Sequence, residues 1–196
     1  MSLSHNSLLV SISLCAALLI TLFGSPNASA QSDELILGRE GVEPGIQIVF
    51  EGAIKDVVYP KDQHLEEDKT DVHLEALITW TTQTDRSVPE GAVRGGHIPY
   101  LTITAKVKNE RTGEKTSVDL VPHINKGDNF HYARNLNLPG KKGDTYDVTF
   151  NVNPPQKYEL SYHKGYKDTY GRPLFEAVDY TYQEVSLESV VDKTRR

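Results

Sequence analysis

Apolar and polar residues alternate with period two in several separate stretches of the chain, and no other feature narrows the possible folds as much. Such alternation is how a β-strand with one buried face reads, because successive side chains point to opposite sides of the sheet. From Asp71 to Thr81, Val72, Leu74, Ala76, Ile78 and Trp80 point one way, while His73, Glu75, Thr79 and Thr81 point the other. From Tyr100 to Lys108, Leu101, Ile103, Ala105 and Val107 oppose Thr102, Thr104 and Lys106. From Asp144 to Val152, Tyr146, Val148, Phe150 and Val152 oppose Thr145, Asp147 and Thr149, before Pro154 and Pro155 end the strand. Ile46 to Val58, Ser117 to Pro122 and Leu174 to Val185 are further strands by the same criterion.

Turn signals fall between these stretches, at Pro89-Glu90-Gly91, Arg94-Gly95-Gly96, Thr112-Gly113, Pro139-Gly140 and Lys142-Gly143-Asp144. No long helical periodicity competes with the strands, and there is no internal repeat. Roughly seven short antiparallel strands punctuated in this way predict an all-β fold, an immunoglobulin-like antiparallel β-sandwich.

The N-terminal stretch follows different rules. Met1 to Ala30 contains no Lys, Arg, Asp or Glu, is dominated by apolar residues from Leu8 to Phe23, and ends in Ala28-Ser29-Ala30. A small-x-small site after a short apolar run predicts an export signal over residues 1–30, with Gln31 as the first mature residue. The apolar run is shorter than the ~20 residues a spanning helix needs, so no stable membrane insertion is expected after cleavage. Residues 31–196 then form a single β-sandwich metal-binding domain, placed in the periplasm. Its size allows a core that needs no staples.

Cys15 is the one cysteine, and it lies inside the signal. The mature chain therefore has no disulfide, no thiolate zinc site and no cysteine nucleophile. A blue-copper centre, which needs a cysteine ligand, is excluded for the same reason. The formal charge of −6 argues against nucleic acid as a partner and mildly favours a cationic ligand. Neither His-Glu-x-x-His nor a Gly-x-Ser-x-Gly elbow occurs, and nothing marks a carboxylate pair as catalytic acid and base.

Beyond the signal the histidines are His64, His73, His97, His123, His131 and His163. His73 and Glu75 share a strand face, about 7 Å apart along the backbone, so both can lean on one ion. His123 and His131 flank the segment Ile124 to Phe130, which contains Gly127 and Asp128, and a hairpin there brings the two imidazoles together. Neutral imidazole suits zinc, copper, nickel or iron. Spacing alone leaves open whether these side chains meet or make ordinary surface hydrogen bonds. His64 stands near Glu66, Glu67, Asp68 and Asp71, which reads either as an auxiliary iron site or as a solvated acidic loop. His97 reads as structural.

Asp71-Val72-His73-Leu74-Glu75-Ala76, Ile98-Pro99-Tyr100-Leu101-Thr102, Val121-Pro122-His123, Phe130-His131-Tyr132 and Asn153-Pro154-Pro155 occur in this order. Together they resemble the family of dimeric periplasmic copper-binding proteins associated with high-affinity iron transport, which includes a spirochaetal membrane antigen. The resemblance runs roughly from Gly45 to Tyr182. It implies an immunoglobulin-like sandwich, a homodimer with copper near the subunit interface, and an inner-membrane iron permease as partner, with iron as cargo. By position it implies His73, Glu75, His131 and His163 as metal ligands.

One departure stands out: where the family carries a methionine ligand after proline, this chain has His123 after Pro122. A thioether favours Cu(I), whereas a further imidazole favours Cu(II), zinc or nickel. The expected ligand set is thus His73, Glu75, His123, His131 and His163. The expected function is a copper-binding accessory of iron uptake, with a copper-dependent iron redox enzyme or a metal-free adhesion module as alternatives.

Overall fold

The computed structural model describes residues 33–127, 130–171, 173–191 and 193. The expected export signal, its expected cleavage site before Gln31, and Asp128 lie outside the described residues. Eight strands are present among them: β1 Glu34–Val42, β2 Ile46–Ala53, β3 Val72–Trp80, β4 Thr102–Asn109, β5 Lys115–His123, β6 His131–Leu136, β7 Thr145–Asn153 and β8 Val178–Ser186. Two short α-helices, α1 Lys164–Tyr170 and α2 Glu188–Val191, and two 3-10 turns, Lys61–Gln63 and Glu67–Lys69, complete the regular structure among the described residues. Every strand pair is antiparallel and the order is β1-β2-β3-β6-β5-β4-β7-β8, which bears out the all-β antiparallel expectation.

The sheet folds back on itself, so that one half covers the other. Val72, Leu74, Ala76 and Ile78 of β3 face Ile103, Ala105 and Val107 of β4 and Tyr146, Val148, Phe150 and Val152 of β7 in one core, all buried. Phe50 of β2 stacks on Phe150 of β7 with ring centroids 4.2 Å apart, joining the two halves across that core. The outermost strands also meet: Tyr182 Oη of β8 donates to Glu40 Oε1 of β1 at 3.0 Å. Gly38 of β1 lets this ring approach, because a Cβ there would stand 2.2 Å from the Tyr182 hydroxyl.

Two strands were not among those expected from alternation. β1 carries a register shift between Ile36 and Gly38, which breaks its period. In β6, His131, Tyr132, Ala133, Asn135 and Leu136 are all buried, so polar and apolar positions no longer sort into wet and dry faces.

The turn before β7 is held by Asp144. Its carboxylate accepts from Arg111 Nε and Nη2 at 2.7 Å, from Asn109 Nδ2 at 2.7 Å and from the Lys141 amide at 2.9 Å. These donors, led by Arg111, hold the carboxyl well below the usual range. Because the folded value lies below the unfolded one, the contribution is complete above the ordinary carboxylate range, near 4, and disappears as pH falls beneath it. Urea unfolding of wild type and Asp144→Asn should therefore differ at pH 7, with a gap that begins to narrow once pH falls below about 4. A gap that stays constant with pH would contradict this role.

Candidate metal centre

β3, β6 and β5 lie side by side, and their registers set the centre. His73 is paired with Asn135 and Glu75 with Ala133 across β3 and β6, while His123 stands directly opposite His131 across β5 and β6. All of these side chains are on the face away from the apolar core. Ala133 lies between His131 and Asn135 on its strand and opposite Glu75, and its small side chain leaves room for the imidazoles to lean together. One nitrogen from each of His73, His123 and His131 lies within 4.8 Å of the other two.

This face points away from the apolar core, yet His73, Glu75, His131 and Asn135 are 2–4% exposed. The reason is the chain between β2 and β3, which folds over them. Asn135 Nδ2 donates to the carbonyls of Asp56 and Leu65, both at 2.9 Å, and so pins this covering segment to β6. With its amide nitrogen used in this way, Asn135 presents Oδ1 to His73 Nδ1 at 2.7 Å. An amide oxygen only accepts, so His73 Nδ1 carries the proton and Nε2 carries the lone pair. His73 Nε2 faces Glu75 Oε1 at 3.7 Å. Glu75 is itself paired across the strands with Glu51 of β2, another buried carboxylate on this face.

His123 sits in a confined electrostatic setting. Burial, then the neighbouring His73, His64, His131 and Arg134, push its imidazole down to about 3. A ring held neutral keeps a lone pair for an electrophile at any ordinary pH. Its Nε2 is buried and has no hydrogen-bond partner among the described residues. An orphaned polar atom of this kind costs about 1–3 kcal/mol unless something satisfies it. A cavity of about 640 Å³ opens beside it, lined by His64, His73, Glu75, His123, His131 and Arg134 among others. Convergent imidazole nitrogens, a carboxylate and an unsatisfied donor atom together fit a transition-metal ion, and they fit copper better than a hard ion such as magnesium.

His64 was read with the acidic run, yet it comes to this centre. Its ring meets the His123 ring edge-on, with centroids 5.2 Å apart. Burial and the nearby Arg134 lower its pKa, partly opposed by Asp62. Asp71, grouped with His64 in the sequence, is engaged elsewhere: it accepts from the Leu138 amide at 2.9 Å and lies 3.2 Å from Lys142 Nζ. No sequence signal placed His64 here, since only the path of the covering segment does so.

His163 is apart from this group within the chain. It is the exposed N-cap of α1, beside a separate cavity lined by Trp80, Ile98, Tyr162, Tyr166 and Leu174. His97 packs against the rings of Phe130 and Tyr132 at 5.8 and 5.1 Å, outside the group of three converging histidines, and its Nδ1 is also buried without a hydrogen-bond partner among the described residues. No helix among the described residues is long and apolar enough to cross a membrane.

A sequence model of the family described as Fe2+ transport protein matches residues 31–188. Among solved structures, a copper-bound variant of FetP from uropathogenic Escherichia coli strain F11 is 26% identical, with a TM-score of 0.63 over 80% of this chain and 100% of that one. Copper-reconstituted P19 from Campylobacter jejuni is also 26% identical, with a TM-score of 0.63 over 78% of this chain and 95% of that one. FetP as isolated after expression in the periplasm of Escherichia coli BL21(DE3) is 27% identical, with a TM-score of 0.61 over 77% and 94%. No curated protein sequence matches the chain.

Proposed function

The chain belongs to the Fe2+ transport protein family, and from that premise we propose that it is a periplasmic copper-binding protein that assists high-affinity iron uptake. The observation that carries this reading is the convergence of His73, His123 and His131 within 4.8 Å on a covered face of the sheet. Copper comes into the reading from the copper-bound FetP and P19 structures, to which this chain is similar.

In this reading His73 Nε2, His123 and His131 hold copper, with Glu75 beside them as a carboxylate donor. Copper there supplies a Lewis-acidic, redox-capable centre. The chain's own part is to fix the donors beforehand. Asn135 orients His73 through its Nδ1 proton, a constraint of the kind that sets which nitrogen of a ligand histidine faces the ion. The covering segment buries His73, Glu75 and His131, and burial keeps His123 neutral. Iron is the cargo, passed on to an inner-membrane iron permease. The protein acts as a homodimer, in which His163 of one protomer reaches the other's centre.

Equilibrium dialysis of the mature protein against Cu(II) is expected to give one copper per chain, with the loaded protein sedimenting as a dimer at micromolar concentration. Protein that retains no copper at stoichiometric concentration is a metal-free interaction module, and the proposal is wrong.

A further inference from the structure

Resting on the copper reading, we infer that His64 is an additional nitrogen ligand of the same centre, delivered by the covering segment rather than by the sheet. A metal–imidazole nitrogen bond is about 2.0–2.1 Å long. Two imidazoles on one ion therefore place their ring centroids roughly 4.5 Å apart when cis at a square-planar ion and roughly 6.3 Å apart when trans, with tetrahedral pairs between. His73 and His123 are 5.3 Å apart by this measure, and His123 and His131 are 5.9 Å apart. His64 and His123, at 5.2 Å, fall in the same window.

Donor chemistry agrees with the distances. Nδ1 of His64, like Nε2 of His123, is buried without a hydrogen-bond partner among the described residues. Two orphaned imidazole nitrogens on touching rings are costly side by side unless one acceptor of lone pairs serves both. The neighbouring Arg134 guanidinium cannot be that partner, because it only donates. A metal ion between the two rings would serve both nitrogens.

The position of His64 has a consequence for the segment that carries it. Its neighbour Leu65 is the residue whose carbonyl Asn135 holds, and the same Asn135 orients His73. A ligand from the segment and a ligand from β3 are thus linked through one buried amide, so copper closes a loop between segment and sheet. Copper binding fastens the cover over the centre, and loss of His64 uncouples the two. With His64 included, the chain offers four imidazoles of its own, the donor set Cu(II) favours.

The test uses the mature protein as wild type, His64→Ala, His64→Gln and His97→Ala, loaded with Cu(II). Electron paramagnetic resonance, a competition titration and hydrogen exchange over residues 54–65 are read together. The expected results are one fewer coupled nitrogen in both His64 variants, an affinity lower by about tenfold, and loss of the copper-induced protection that wild type shows. His97→Ala should match wild type in all three, and the metal-free His64 variants should melt no lower than metal-free wild type. Wild-type nitrogen count, affinity and protection in both His64 variants overturn the inference while leaving the copper centre standing. Two coppers in wild type and one in His64→Ala also overturn it, since His64 would then serve a second ion. Wild type that takes up no copper removes the parent reading, and the inference falls with it.

Discussion

Replacing Phe150 by alanine should lower the unfolding free energy by about 3–5 kcal/mol, the usual cost of truncating a fully buried aromatic. Phe150 and Phe50 are 0% exposed and stacked at 4.2 Å, one from each half of the folded sheet. Tyr182 packs against Phe150 at 6.4 Å and against Phe50 at 6.0 Å, so the cavity would open beneath the ring that joins β8 to β1. The loss therefore combines transfer of the ring, a stacked pair beyond its area, and a void that rigid strands on both sides cannot close. In urea the midpoint should fall with the slope unchanged. Phe150→Leu should recover more than half of the difference. A loss below about 1 kcal/mol for Phe150→Ala would mean that the two halves do not depend on this contact.

Strands whose two faces differ in chemistry were legible from the sequence. β3, β4 and β7 sort apolar from polar residues cleanly, and their observed bounds lie within a residue or two of those expected. β6 was not legible because both of its faces are buried, one against the apolar core and the other under the covering segment. β1 was missed for a different reason, since its register shift places Leu35 and Leu37 against the core while Gly38 lies under a tyrosine ring. Local pattern carries no trace of either circumstance.

The centre divides in the same way. His73 with Glu75 was readable as a strand face, and His123 opposite His131 as the base of a hairpin, because both relations are local. Meeting of the two pairs depends on β6 lying between β3 and β5, which spacing cannot encode. Burial of that face is not legible for a similar reason: His73 and Glu75 do point away from the core, as expected, but residues 54–70 return over them. His64 travels with that segment, and the nearby acidic run drew attention from it. The resemblance supplied His163, which within one chain remains at the exposed start of α1.

His123 is where the sequence leaves the pattern it resembles while keeping a donor atom, and its replacement should have the largest effect on metal binding. It touches the rings of His64, His73 and His131, so its removal takes away both a ligand and the wall between the others. His123→Ala should weaken Cu(II) binding by one to two orders of magnitude, about 1.4 kcal/mol for each tenfold. His123→Met should retain part of the affinity and shift preference toward Cu(I), because a soft thioether stabilises the reduced ion. His97→Ala should leave both affinities near wild type. A competition titration of wild type and His123→Ala with Cu(II) tests the copper centre most directly. A ten- to hundredfold loss in His123→Ala is the result this account predicts, and a His123→Ala protein that binds Cu(II) as tightly as wild type would contradict it.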